Sequence, residues 1–105
     1  MKTAAWCEAA AMADAIFDGA LVVLSGSGGG LVEADMICAA IERRFLDTGH
    51  PRDLTLVHAL GIGDGVASGI NRFAHEGMVR RVIGGHWTWS KRMQQLAHDN
   101  AIAAY

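Results

Sequence analysis

Three glycine clusters hold most of the chemistry this sequence can offer: Ser25-Gly26-Ser27-Gly28-Gly29-Gly30, Gly61-Ile62-Gly63-Asp64-Gly65 and Gly84-Gly85-His86. The first two follow short apolar runs and precede helical patterns. A glycine-rich turn between a strand and a helix lets backbone N–H groups converge on an anion, and the helix start favours negative charge. The expected ligand groups are therefore phosphates or carboxylates. Glu33, just after the first turn, is read first as a partner of a helix dipole and second as a group in the site. Asp64, between two glycines, is either a turn former or a polar contact with a ligand.

The spacing excludes the best-known versions of such a turn. Counting from Gly26, a G-x-G-x-x-G dinucleotide fingerprint needs glycine at position 31, which is Leu31. No Lys-Ser or Lys-Thr pair follows, so the turn is not a P-loop. Gly26-Ser27-Gly28 is one residue too tight for the G-x-S-x-G elbow of a serine hydrolase. His58 and His86 fall at strand ends and can face the site, whereas His50, His75 and His98 are expected to be exposed. No histidine pair has the i, i+4 spacing of a helical metal site, and neither cysteine joins one. Trp87 and Trp89 either wall a pocket or are buried in an interface or the core, the second reading being favoured.

The elements that must position these groups alternate between helix and strand. Residues 6–17 read as a helix with Ala9, Met12, Ala13 and Ile16 on one face, closed by Asp18-Gly19. Residues 20–24 form a continuous apolar strand, of the kind that parallel sheets cover on both faces. Residues 33–47 are the best helix, with Ile37, Ile41 and Phe45 recurring at i+4 beside Met36 and Ala40, Glu33 and Asp35 in its first turn, and Gly49-His50-Pro51 as its stop. Residues 54–60 are the second strand, 67–76 a short helix with Ile70, Phe73 and Ala74 inward, and 79–83 the third strand. Ser90 is placed to N-cap a helix over 91–99 built on Met93, Leu96 and Ala97, and 101–105 open a fourth strand. The fold class is α/β: an open parallel sheet with flanking helices. Ten of the thirteen glycines fall just after the first three strands, at the sheet edge where such folds bind ligands.

Composition narrows the function classes. With 105 residues, 51% hydrophobic and 19% charged, the chain is one small globular domain. A net charge of −2 and the lack of a basic stripe argue against nucleic acid, and the pairs Arg43-Arg44 and Arg80-Arg81 read as solvated. Cys7 and Cys38 have no metal or redox spacing and read as reduced and structural, which suits a cytoplasmic protein. Glu8 and Asp14 interrupt any signal-like apolar run at the N-terminus, and no stretch is long enough to span a membrane.

Taken together, several motifs resemble the N-terminal part of the family I CoA-transferases, in the acetate, propionate and 3-oxoacid branch. The matching residues are Asp18-Gly19, Ser25 through Gly30 with Glu33, Gly49 through His58, Gly61 through Gly65, Asn71 through Gly77 and Arg81 through Trp87. The resemblance runs from about residue 8 to the end. Ala34, where the family often has proline, and Thr88-Trp89 depart from it. It implies part of a NagB/RpiA-like fold, an incomplete N-terminal half, and transfer of CoA between an acyl-CoA and a short carboxylic or 3-oxo acid. Coenzyme A would be a substrate, and no cofactor or metal is implied. In this family a glutamate attacks the thioester and becomes a glutamyl-CoA thioester. That glutamate belongs to a second half of the family's sequence, and none of Glu8, Glu33, Glu42 or Glu76 stands in its motif. The 105 residues are then expected to be inactive alone, while Ser25, Gly26, Ser27, Gly28, Gly29, Gly30, Glu33, Gly61, Gly63, Asp64, Gly85 and His86 form part of the substrate site. A binding or scaffold module that keeps the sheet is the alternative. Either way an unpaired strand edge predicts an oligomer or aggregation.

Overall fold

A computed structural model of the chain describes residues 3–26 and 33–105. The elements run α1 (Ala9–Asp14), β1 (Leu21–Val23), α2 (Asp35–Thr48), β2 (Leu54–His58), a 3-10 helix (Gly69–Phe73), β3 (Val79–Gly84), α3 (Lys91–His98) and β4 (Ala103–Ala104). All the strands are parallel, in the spatial order β1-β2-β3-β4. The expected α/β architecture is present, with shorter elements at the two ends of the chain.

Strand order decides where the helices go. A parallel crossover is right-handed, so connections that always step in the same direction pass over the same face of the sheet. Here every step is in the same direction, and the helices form one layer. Ala13 of α1, Cys38 and Ile41 of α2, Ile70 and Phe73 of the 3-10 helix and Met93 of α3 share one core with Leu54, Leu56 and Val82 of the sheet. Leu54, Leu56, Val82, Phe73 and Met93 are fully buried.

The opposite face has no such layer among the described residues. Register puts Leu21, Thr55, Arg81 and Ala103 on it, with Val23, Val57 and Ile83 one pleat further on. Leu21 is 61% exposed and Val23 69%, so the expectation of a first strand covered on both faces fails. β1 is an edge strand in a sheet with helices on one side, and its apolar run does not report that.

Local chemistry explains the element ends. α2 stops at Gly49, which adopts φ +79° and returns its N–H to the Phe45 carbonyl, the left-handed cap that glycine allows. Ser90 accepts the Met93 N–H and N-caps α3 as the sequence suggests. α1 is only six residues long, not the twelve from 6 to 17. Trp6 and Cys7 before it are exposed, and Met12 faces water. Asp18 does not close that helix; it accepts the Arg52 N–H at 2.9 Å and pairs with His50 at 2.9 Å, tying β1's entry to β2's. These bonds, the Arg52 N–H first, hold the Asp18 carboxyl below its usual range.

Arg44 also departs from the solvated reading. Its guanidinium donates to the Ala13 and Ile16 carbonyls at 3.0 and 2.6 Å, closing the end of α1 from 28 residues or more away. Met36 is 79% exposed although the helical pattern set it beside the core. Cys38 is buried, and loss of solvent pushes its thiol up to about 11, in keeping with a structural role.

Candidate functional site

The C-terminal ends of β1, β2 and β3 bring Ser25-Gly26 and the second and third glycine clusters to one edge of the sheet. Ser25 and Gly26 line an apolar cleft of about 280 Å³ together with Val23, Leu24, Val57, His58, Ala59 and Leu60. Ser27, Gly28, Gly29 and Gly30 lie outside the described residues. Gly85 follows β3 and donates its N–H to the His58 carbonyl at 3.0 Å, which brings the third cluster against the end of β2. His86 is exposed beside it. A side chain at Gly61 would run into His86 and the Trp89 indole, so the second and third clusters meet in direct contact.

The second loop has its amides satisfied by groups of the chain itself. Gly63 N–H donates to Glu33 Oε1 at 2.8 Å and Gly69 N–H to Asp35 Oδ1 at 2.8 Å. Gly65 N–H donates to the Trp89 carbonyl at 2.8 Å. Val66, Ala67 and Ser68 all donate to Asp64 Oδ1, at 2.8, 2.9 and 3.1 Å. These three amides, Val66 first, hold the Asp64 carboxyl well below the ordinary range. Asp64 thus organises the loop's own backbone. Glu33 lies before α2 rather than within its first turn, with its carboxylate directed at Gly63.

Residues to which the sequence analysis gave no place in the site hold this loop in place. Asn71 is buried and donates to the carbonyls of Ser68 and Trp89 at 3.0 and 3.1 Å. Arg72 grips Asp35 through Nε and Nη2 at 3.0 and 2.9 Å and reaches Glu42 at 3.1 Å. Charge-assisted pairing by Arg72 lowers the Asp35 pKa, and Asp35 in turn raises that of Arg72. His75, expected to be exposed, bonds Glu42 at 2.7 Å and stacks on Phe45 with centroids 5.9 Å apart. The available signal was a run of polar residues, Asn71-Arg72, inside an otherwise apolar turn; a long-range ion network cannot be read from that alone.

His58 reaches the site from below. It is 2% exposed, and its Nδ1 lies 2.8 Å from the Leu60 carbonyl. A carbonyl only accepts, so Nδ1 carries the proton and the ring is oriented. Gly84 passes over its other nitrogen, where any side chain would collide with the ring. Trp87 is half-buried, tilted over His58 at 6.4 Å, and its indole donates to the Gly84 carbonyl at 3.2 Å.

The edge therefore combines an apolar cleft, an internally hydrogen-bonded glycine loop and a histidine-tryptophan wall. The chain is 38% identical over 88 residues to the acetate CoA-transferase YdiF of Escherichia coli K12, and equally to that of strain O157:H7. The match takes in 84% of this chain and 17% of the relative's length. A crystal structure of the O157:H7 acyl-CoA transferase, a thioester complex with CoA, superposes on 94% of the chain with a TM-score of 0.90 at 35% identity. The chain corresponds to a segment of a family I CoA-transferase. It spans about a fifth of that solved chain, and the apoenzyme structure of the same transferase gives the same TM-score. No family model matches it. In the described residues, no helix is long and apolar enough to cross a membrane.

Proposed function

We propose that this CoA-transferase segment forms one wall of a site that moves CoA between an acyl-CoA and a short carboxylic or 3-oxo acid. The observation carrying the reading is the superposition on a CoA-transferase over nearly the whole chain, with the glycine clusters at one sheet edge. Ser25 and Gly26 would face the acyl or acceptor group from the cleft they line, with Gly85 and His86 flanking it. Gly61, Gly63 and Asp64 would back that wall, since the Gly63 amide is taken by Glu33 and those of Val66, Ala67 and Ser68 by Asp64 of the same loop.

In this reading a glutamate outside these 105 residues attacks the thioester carbonyl, expelling CoA thiolate and leaving an acyl-glutamyl anhydride. The thiolate attacks the glutamyl carbonyl of the anhydride, forming glutamyl-CoA and releasing the first carboxylate. The acceptor carboxylate then reverses both steps with its own acyl group. Backbone N–H donors in the glycine-rich turn would stabilise the oxyanions. Acyl-CoA and a small carboxylate are the substrates, in a cytoplasmic setting, and the 105 residues alone do not turn over.

The test replaces the corresponding segment of the E. coli transferase by residues 1–105. The chimera is expected to exchange CoA between acetyl-CoA and isotope-labelled propionate, whereas the isolated chain leaves both unchanged. A folded chimera that exchanges nothing would overturn the proposal, and so would turnover by the isolated chain in proportion to its concentration.

A further inference from the structure

Glu33 stands just before α2, and the second loop holds its carboxylate. Oε1 accepts the Gly63 N–H at 2.8 Å, and it lies so close over Gly69 that a Cβ there would collide with it. Gly69 has φ +63° and offers only hydrogen at this contact, so the carboxylate seats against bare backbone. Two positions on, Asp35 takes the Gly69 N–H at 2.8 Å, and Arg72 clamps Asp35 from the other side. Glu33 and Asp35 thus take amides from both ends of one loop.

We infer that Glu33 is a positioning residue: as a hydrogen-bond acceptor it locks the entry of α2 to the second loop, and it does not act as a ligand for substrate. The clasp is a property of this chain alone. Its consequence for catalysis rests on the CoA-transferase reading, in which the second loop backs the wall assigned to the acyl or carboxylate group.

An acceptor and a charge make opposite demands on a substitution. Glu33→Gln keeps an oxygen of the same reach, and Glu33→Ala removes it. In the 105-residue chain, amide exchange followed by NMR should show Gly63 about tenfold less protected in Glu33→Ala and within about threefold of the parent in Glu33→Gln, one hydrogen bond's difference. Should Glu33→Ala fail to fold, Glu33→Met against Glu33→Gln carries the same contrast at equal length. Glu33→Gln as damaging as Glu33→Ala or Glu33→Met would overturn the inference, as would unchanged Gly63 protection in all of them.

The chimera supplies the catalytic readout. Glu33→Ala should lower kcat at least tenfold with KM within about threefold, and Glu33→Gln should restore most of it. Loss of activity in both variants would make the charge itself necessary and overturn the positioning role. An inactive parent chimera would instead remove the CoA-transferase reading, while the exchange result on the isolated chain still decides the clasp.

Discussion

The two faces of the sheet are built from the same kinds of residue and meet different fates. On one, Leu56 and Val82 are fully buried beneath α1, α2, the 3-10 helix and α3. On the other, Leu21, Val23 and Ile83 are exposed although they belong to equally apolar runs. Composition does not separate the faces; strand order does. A sheet that adds each strand beside the last sends all its right-handed crossovers to one side. Covering the second face would take a reversal of strand order or a separate layer, and neither occurs within the described residues. Burial in a parallel sheet is therefore a property of topology before it is a property of the strand.

The difference between faces can be broken by substitution. Leu56→Ala, beneath the helix layer, should cost about 2–5 kcal/mol in urea unfolding, the usual range for a core truncation. A loss below about 1 kcal/mol would mean that the layer is loosely packed. Arg72→Met probes how the helix layer is held to itself, since it leaves Asp35 and Glu42 without their cation. A loss of about 1–2 kcal/mol is expected, smaller than for a fully buried pair because Arg72 and Asp35 are partly solvated.

The same pair predicts a pH dependence. The pKa of Asp35 is lowered in the folded chain, so its contribution is fully present above the unfolded value near 4 and is lost as pH falls through the lower folded value. Thermal unfolding from pH 6 to pH 2 should therefore show a steeper acid loss in the parent than in Asp35→Asn. Equal slopes would remove the pair from the account. Ser90→Ala should cost about 1 kcal/mol through the lost cap of α3. Smallest of all, Leu21→Gln on the bare face should change stability by less than about 0.5 kcal/mol. A large loss there would show that the face is covered after all.

Strand positions, the α2 stop, the Ser90 cap and the clustering of glycines at one edge were legible in the sequence because each depends on neighbours a few residues away. Apolar runs locate strands, and Gly49 ends a helix through its own φ. What escaped depends on distant partners. Periodicity put Met36 and Ile37 on the same side of a helix, and only packing shows that Met36 faces water. Arg44 looked solvated because its acceptors, Ala13 and Ile16, lie in another element. His75 looked exposed because Glu42 and Phe45 come to it across a crossover. At the site, the glycine spacing pointed to the edge, but it could not say which way each loop's N–H groups turn. Gly63, Val66, Ala67 and Ser68 have their acceptors within the protein, and only coordinates reveal that.

The uninterrupted strand order also sets how the chain can assemble. Each new strand pairs with the one just before it, so none has to be inserted between two strands already joined. Every crossover closes a loop of one unit, which keeps the entropy of loop closure small at each step. During synthesis, β2 can dock on β1 while residues beyond Val79 are still inside the ribosome, and β3 can then dock on β2. Construction in chain order makes each glycine loop available at the growing edge as soon as its own strand is seated.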